Sequence, residues 1–165
     1  MPPIVRTLAA DEWETWRDLR LRALADAPDA FMGTLEDEAA RPDSFWQEVV
    51  ADTAAHPRGE LWVAEVAGAP VGMAFGRVDP DIEGLHVFAM WVDPDHRGGG
   101  SATALLKAVL DWGREAGAER VDLWVTEGNE AAETLYARAG FRPTRDRGPL
   151  RAGSDRTVVR LERPL

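Results

Sequence analysis

The stretch from Leu85 to Val92 constrains the fold most, because it is apolar on both faces apart from His86. A strand with one face in water alternates polar and apolar residues, so a nearly continuous apolar run predicts a strand inside a sheet. Asp93–Pro94 ends this strand, and an amphipathic helix follows a glycine-rich turn. A further strand and a further helix come next. The chain must therefore bury a sheet between or beneath helices.

The remaining pattern predicts an α/β chain of the α+β kind, with one domain over residues 1–165. Predicted strands cover 4–7, 61–66, 71–78, 85–92, 121–125 and 157–161, and predicted helices begin at Asp11, near Pro42, after the glycine turn and at Asn129. After Phe141, a charged turn region around Gly148–Pro149 and Gly153 separates two further strand candidates, of which 157–161 is the better. The length leaves no room for a second domain.

Composition excludes several classes of function. The formal net charge of −10 argues against a nucleic-acid partner, which needs a basic face. No apolar stretch is long enough for a membrane span, so we expect no membrane partner and a cytoplasmic location. The absence of cysteine removes thiolate metal sites and cysteine nucleophiles, and His56 and His96 have no partners at metal-ligand spacing. We therefore expect no metal.

The turn Arg97–Ala102 contains three consecutive glycines between a buried strand and a helix. Unpaired N–H groups and the helix dipole favour an anion there, and glycines let the backbone approach it closely. A Walker A loop does not fit, because Lys107 lies inside the helix rather than at the turn. A dinucleotide-binding turn would need glycine where Thr103 stands, although Asp122 lies near the expected ribose-binding position. This dinucleotide alternative is the weaker one.

A second segment decides which ligand this turn is expected to hold. It consists of Asn129, Ala132, Leu135, Tyr136, Gly140 and Phe141. Together with Val92-Asp93-Pro94 and the Arg-x-x-Gly-x-Ala spacing that follows, it resembles the GNAT superfamily of N-acetyltransferases. The resemblance implies acetyl-CoA as cosubstrate, a binding core over about residues 85 to 141, and a mixed, mostly antiparallel sheet splayed after strand 4 and flanked by helices.

The resemblance also implies roles for individual residues. Met90, Trp91 and Val92 would bind pantetheine through main-chain atoms, and Arg97, Gly98, Gly99, Gly100, Ser101 and Ala102 would hold the pyrophosphate. Asn129 would contact the cofactor while it caps its helix. Tyr136 would contact it too and act as the general acid for the departing thiolate. The segment from Ala27 to Phe31, with Thr34, would cap the acceptor pocket.

The implied reaction needs a deprotonated amine, because an amine with a pKa near 10 is almost wholly protonated at neutral pH. Without cysteine, direct attack within a ternary complex is the simplest scheme. Glu83, just before the strand, and His86, inside it, are the two candidate bases. The acceptor would be a small-molecule or protein amine, and the acidic turn of Asp79, Asp81 and Glu83 could attract a cationic one.

Two other functions remain open at this point. A non-catalytic acyl-CoA-binding or sensing domain would keep the cofactor cleft without acid-base chemistry. An oxidoreductase would use the same turn for a dinucleotide. The resemblance is also compatible with a homodimer.

Overall fold

The computed structural model describes residues 1–165, and its seven strands form one sheet. The strands are Ile4–Thr7 (β1), Gly59–Val66 (β2), Ala69–Asp79 (β3), Gly84–Val92 (β4), Arg120–Thr126 (β5), Arg142–Pro149 (β6) and Thr157–Pro164 (β7). Their order across the sheet is β1-β2-β3-β4-β5-β7-β6. Only the β4–β5 pair is parallel. The predicted mixed, mostly antiparallel sheet is confirmed.

Five helices cover the sheet on two faces. They are Trp13–Asp26 (α1), Leu35–Ala39 (α2), Asp43–Ala55 (α3), Ser101–Glu115 (α4) and Glu130–Arg138 (α5). One core cluster packs α1 and α3 onto β2 and β3, with Leu19 and Val63 wholly buried. A second cluster packs α4 and α5 onto the other face, with Leu105 and Val109 at its centre. The apolar stripe of each helix thus explains which face it covers.

The parallel pair is short, and this opens the sheet. Strands β4 and β5 are paired only from Gly84–Arg120 to His86–Asp122. Beyond His86 the strands diverge, and the register between β3 and β4 shifts near Ala89, whose φ is +54°. A bulge of this kind bends its strand and increases the local twist. The result is the predicted V-shaped gap after the fourth strand.

Two local expectations were wrong, and one short helix was not predicted. Asp11 does not cap α1, because the helix begins at Trp13 with Glu12 at the N-cap position. The Glu12 carboxylate is bound by Arg6 and by the N–H of Ala9, so no side chain caps the helix. Strand β6 runs through Gly148–Pro149, which we expected to be a turn; it is an edge strand, where proline at the end costs no sheet hydrogen bond. The short helix α2 has too few residues for a periodic signal.

Candidate active site

A cavity of about 470 Å³ lies at the gap between β4 and β5. Trp16 of α1 and Tyr136 of α5 both line it, although these helices pack on opposite faces of the sheet. The cavity therefore passes through the gap and connects the two faces. Its volume lies in the range of small-molecule sites, and 17 of its 22 lining residues are hydrophobic.

The open edge of β4 offers main-chain groups to this gap. The N–H of Asp93 donates to Val71 on β3 at 2.8 Å, so the alternation of extended backbone turns the main chain of Val92 toward the gap. The carbonyl of Val92 accepts a bond there from Arg97 Nε at 2.9 Å. By the same alternation, the main chain of Met90 faces the gap and that of Trp91 faces β3. Two of the three predicted pantetheine contacts are thus oriented for that role.

The start of α4 has the properties of an anion site. Gly98 and Gly100 have φ of +80° and +91°, and no side chain caps the helix at Gly100. The first bond of the helix runs from Ala104 N–H to Gly100 O, which leaves earlier N–H groups without an acceptor. Ser101 is 2% exposed, and its hydroxyl has no hydrogen-bond partner. Unpaired donors and an orphaned buried hydroxyl fit an anionic pyrophosphate.

The side chain of Arg97, predicted as part of the pyrophosphate-binding turn, contacts protein groups in this structure. Its guanidinium donates to Asp26 at 2.6 Å as well as to the Val92 carbonyl. Asp26, at the end of α1, also accepts from Trp91 Nε1 at 2.9 Å. The side chain of Arg97 therefore anchors the turn to β4 and α1. Asp26 carried no signal in the sequence, because its partners lie 65 and 71 residues away.

Helix α5 brings Asn129 and Tyr136 to the cavity. The Asn129 side chain accepts from the N–H of Ala132 at 3.3 Å, so it caps the helix and keeps its amide donors free. Tyr136 is 7% exposed and packs edge-on against Phe141. Burial raises the pKa of the Tyr136 phenol, and no charge or hydrogen bond offsets this effect. The raised pKa favours the protonated phenol, which is the form that can donate a proton.

The two candidate bases lie at different distances from the cavity. Glu83 is exposed in the turn before β4, about 20 Å along the strand from Met90, and does not line the cavity. The acidic turn thus lies at the closed end of the parallel pair. His86 sits at the last paired position of β4, where its Nδ1 contacts Asp122 Oδ1 at 2.5 Å. Its ring lies 6.2 Å from that of Phe88, which lines the cavity.

The part of the cavity next to α1, α2 and α3 contains charged groups that sequence reasoning missed. Arg20 on α1 makes a bidentate ion pair with Glu38 on α2, with both contacts at 2.8 Å. Arg41, in the link between α2 and α3, stacks over the ring of Phe45 at 4.9 Å. No carboxylate lies within 4.0 Å of its guanidinium, and the residue is exposed. These groups come from separate segments of the chain, so no sequence motif predicts them.

The predicted capping segment forms part of the wall. Ala30 and Phe31 line the cavity, whereas Thr34 caps α2 by accepting a bond from Asp37. The hydroxyl of Thr126 on β5 donates to the carbonyl of Asp29 at 2.6 Å. Arg151, between β6 and β7, donates to the carbonyl of Phe31 at 3.3 Å. These bonds hold the segment across the mouth of the gap.

This geometry agrees with comparisons to known proteins. The sequence model of the acetyltransferase (GNAT) family matches residues 9–141. The chain belongs to this family. Membership confirms the family resemblance recognised from the two motifs.

Curated relatives are about one-third identical to the chain within the aligned regions. A mycothiol acetyltransferase from Thermobispora bispora is 37% identical over 133 residues, which are 78% of this chain and 42% of the relative. One from Salinispora arenicola is 37% identical over 136 residues, which are 78% of this chain and 40% of the relative. The chain spans less than half the length of these relatives.

Solved structures share the fold at low identity. The acetyltransferase of the GNAT family from Streptococcus pneumoniae aligns with a TM-score of 0.83 at 16% identity, covering 99% of each chain. A putative acetyltransferase, yncA, from Salmonella typhimurium, solved with its cofactor acetyl-CoA, aligns with a TM-score of 0.81 at 16% identity. That alignment covers 100% of this chain and 95% of the other. These similarities confirm the fold class.

Neither a cluster of metal-ligating side chains nor a membrane-spanning helix is present in the structure. No three His, Asp or Glu side chains come together in a group that could hold a metal ion. None of the helices combines the length and apolar character needed to cross a bilayer.

Proposed function

We propose that this chain transfers the acetyl group of acetyl-CoA to a primary amine of a small molecule or protein, by direct attack in a ternary complex. The observation that carries the proposal is the cavity through the sheet, which joins the α5 side to the α1–α3 side. One opening serves the cosubstrate and the other the acceptor. We treat residues 1–165 as one N-acetyltransferase domain, with its acetyl-CoA-binding core at about 85–141.

Residues on the α4–α5 side would hold the cosubstrate. The N–H groups and hydroxyl of the turn from Gly98 to Ala102 would bind pyrophosphate, and the main chain of Met90 would pair with the pantetheine arm. The free amide donors of Asn129 are available for a further contact. When bound, acetyl-CoA supplies an activated acyl thioester.

Two side chains carry out the two proton transfers, one from the amine and one to the thiolate. His86 accepts the proton that the amine loses, through solvent in the cleft, because Asp122 holds Nδ1 and leaves Nε2 with a lone pair. Tyr136 donates its phenolic proton to the departing thiolate and regains one from solvent. The new C–N bond replaces the C–S bond, and the chain has no cysteine through which a covalent acyl-enzyme could form. Glu83 takes no part, because it lies at the far end of β4.

Thiol release from acetyl-CoA against a panel of amines tests this proposal. We expect thiol formation above the hydrolysis rate with at least one acceptor, together with an acetylated product of matching mass. Tight CoA binding without transfer to any acceptor would instead leave a non-catalytic acyl-CoA-binding or sensing domain. Binding of NAD(P) in place of CoA would favour the dinucleotide alternative.

The kind of acceptor and the assembly state belong to the proposal as well. The curated relatives carry the name mycothiol acetyltransferase, which favours a small molecule over a protein. The homodimer and the cytoplasmic location stay predictions; sedimentation and cell fractionation test them. No nucleic-acid or membrane partner is proposed.

A further inference from the structure

The acceptor side of the cavity is lined by large apolar side chains that remain accessible. Phe88 on β4 and Trp124 on β5 both line the cavity, with exposures of 41% and 48%. Met32, at the rim, is 75% exposed. Large apolar groups are rarely left this open in a continuous patch unless a ligand covers them. The pattern indicates an acceptor with an apolar body, and aromatic walls suit a flat one.

The charges that line the cavity are few and unbalanced. Arg20 and Glu38 neutralise each other in a bidentate pair. Arg41 adds one positive charge, and its guanidinium has no carboxylate partner. The guanidinium carbon lies 4.9 Å from the centroid of the Phe45 ring, a contact that uses none of its N–H donors, so these can bind an anion in a bidentate manner. No carboxylate in the cavity is free to bind a cation.

This local charge is opposite to that of the whole chain. The net charge of −10 suggested attraction of cationic acceptors, and so did the acidic turn of Asp79, Asp81 and Glu83. That turn lies at the closed end of β4, outside the cavity. A positive cavity disfavours a second ammonium group on the acceptor and favours the neutral form of the reacting amine. Polyamines are thus poor candidates.

We propose that the acceptor is a small amine with an apolar, preferably aromatic, body and a carboxylate that Arg41 binds at the rim of the cavity. The proposal rests on the proposed function and names its substrate class. The carboxylate belongs either to an α-amino acid or to an amino acid whose amine and carboxylate lie at opposite ends. In both cases Arg41 is a specificity-determining residue.

Binding of acetylated products tests the proposal without requiring turnover. Calorimetry would compare N-acetyl-L-phenylalanine with its carboxamide, and 4-(acetamidomethyl)benzoate with its carboxamide. We expect the carboxylate of at least one pair to bind about tenfold more tightly to the wild-type chain. Arg41→Gln should abolish that preference and leave the affinity for the carboxamide unchanged.

Arg58→Gln provides a matched control, because Arg58 is exposed, makes no ion pair and does not line the cavity. It changes net charge as much as Arg41→Gln does, and it should retain the wild-type preference. Equal affinity within both pairs, no binding by either pair, or tighter binding of N-acetylputrescine would overturn the inference. Thiol release with phenethylamine measures the proposed function separately: transfer without a carboxylate preference defeats this inference alone.

Discussion

The glycine turn at the start of α4 and the cavity that passes through the sheet are built from different groups. The turn offers main-chain N–H groups and the hydroxyl of Ser101. The cavity offers side chains from α1, the α2–α3 link, β4, β5 and α5. A main-chain site needs only a local conformation, so a short motif encodes it. A side-chain cavity exists only when distant segments pack, which leaves its chemistry free to vary within one fold.

The largest expected effect on the catalytic rate comes from removing the phenolic hydroxyl of Tyr136, which lines the cavity. Tyr136→Phe should lower kcat by about a hundredfold, because the departing thiolate loses its proton donor. The KM for acetyl-CoA should remain within about twofold of its wild-type value, since the ring still packs on Phe141. Steady-state kinetics with thiol detection measures both quantities. A kcat within threefold of wild type would remove Tyr136 from the mechanism.

Introducing a side chain into the glycine turn should lower the affinity for CoA without changing the acceptor side of the cavity. Gly100→Val forces a β-branched residue to a φ near +91° and crowds the anion site. We expect CoA affinity, measured by calorimetry, to fall about thirtyfold, which corresponds to roughly 2 kcal/mol.

Gly117→Val is the matched control at the other end of α4. Its φ is +85° and open space surrounds its Cβ position, as it does at Gly100. The backbone strain should therefore be similar while CoA affinity stays unchanged. Equal loss of CoA binding in both variants would show that strain, and not the anion site, causes the effect.

The two candidate bases lie at different places along β4: Glu83 precedes the segment paired with β5, and His86 is the last residue of that segment. His86→Gln should lower kcat about tenfold at neutral pH, because the amine loses its proton acceptor. Glu83→Gln, at the closed end, should change kcat by less than about twofold. Kinetics at a saturating acceptor concentration compares the two variants directly. The reverse order would return the base to the acidic turn and would require the cleft to extend there.

The smallest expected effect concerns alkaline pH, where kcat/KM should not decline. Tyr136 donates a proton, so activity would fall as pH rises through the pKa of its phenol. Burial raises that pKa above its ordinary value of 10, which moves the fall to still higher pH. A plot of kcat/KM against pH should therefore rise with amine deprotonation and show no decline up to about pH 9.5. A decline near pH 8 would mean that another group is the acid.

Much of the cosubstrate side could be predicted from the sequence. The apolar run of β4, the glycine turn and the cap at Asn129 each depend on neighbouring residues, and the structure has all three. The family and the splayed sheet are confirmed as well. Sequence reasoning did not separate Trp91 from Met90 and Val92, because main-chain direction depends on the register with β3. It also missed Asp26, whose partners are remote in the chain.

By itself, the sequence determined the family, most of the strands and helices, and the glycine turn before α4, because contiguous residues control backbone conformation and burial pattern. Only the tertiary structure decided that the acidic turn lies outside the cavity, that Arg20 and Glu38 neutralise each other, and that Arg41 stands without a partner. Such charge relations depend on distances between segments that meet only after folding, since electrostatic interactions depend on separation in space and not along the chain.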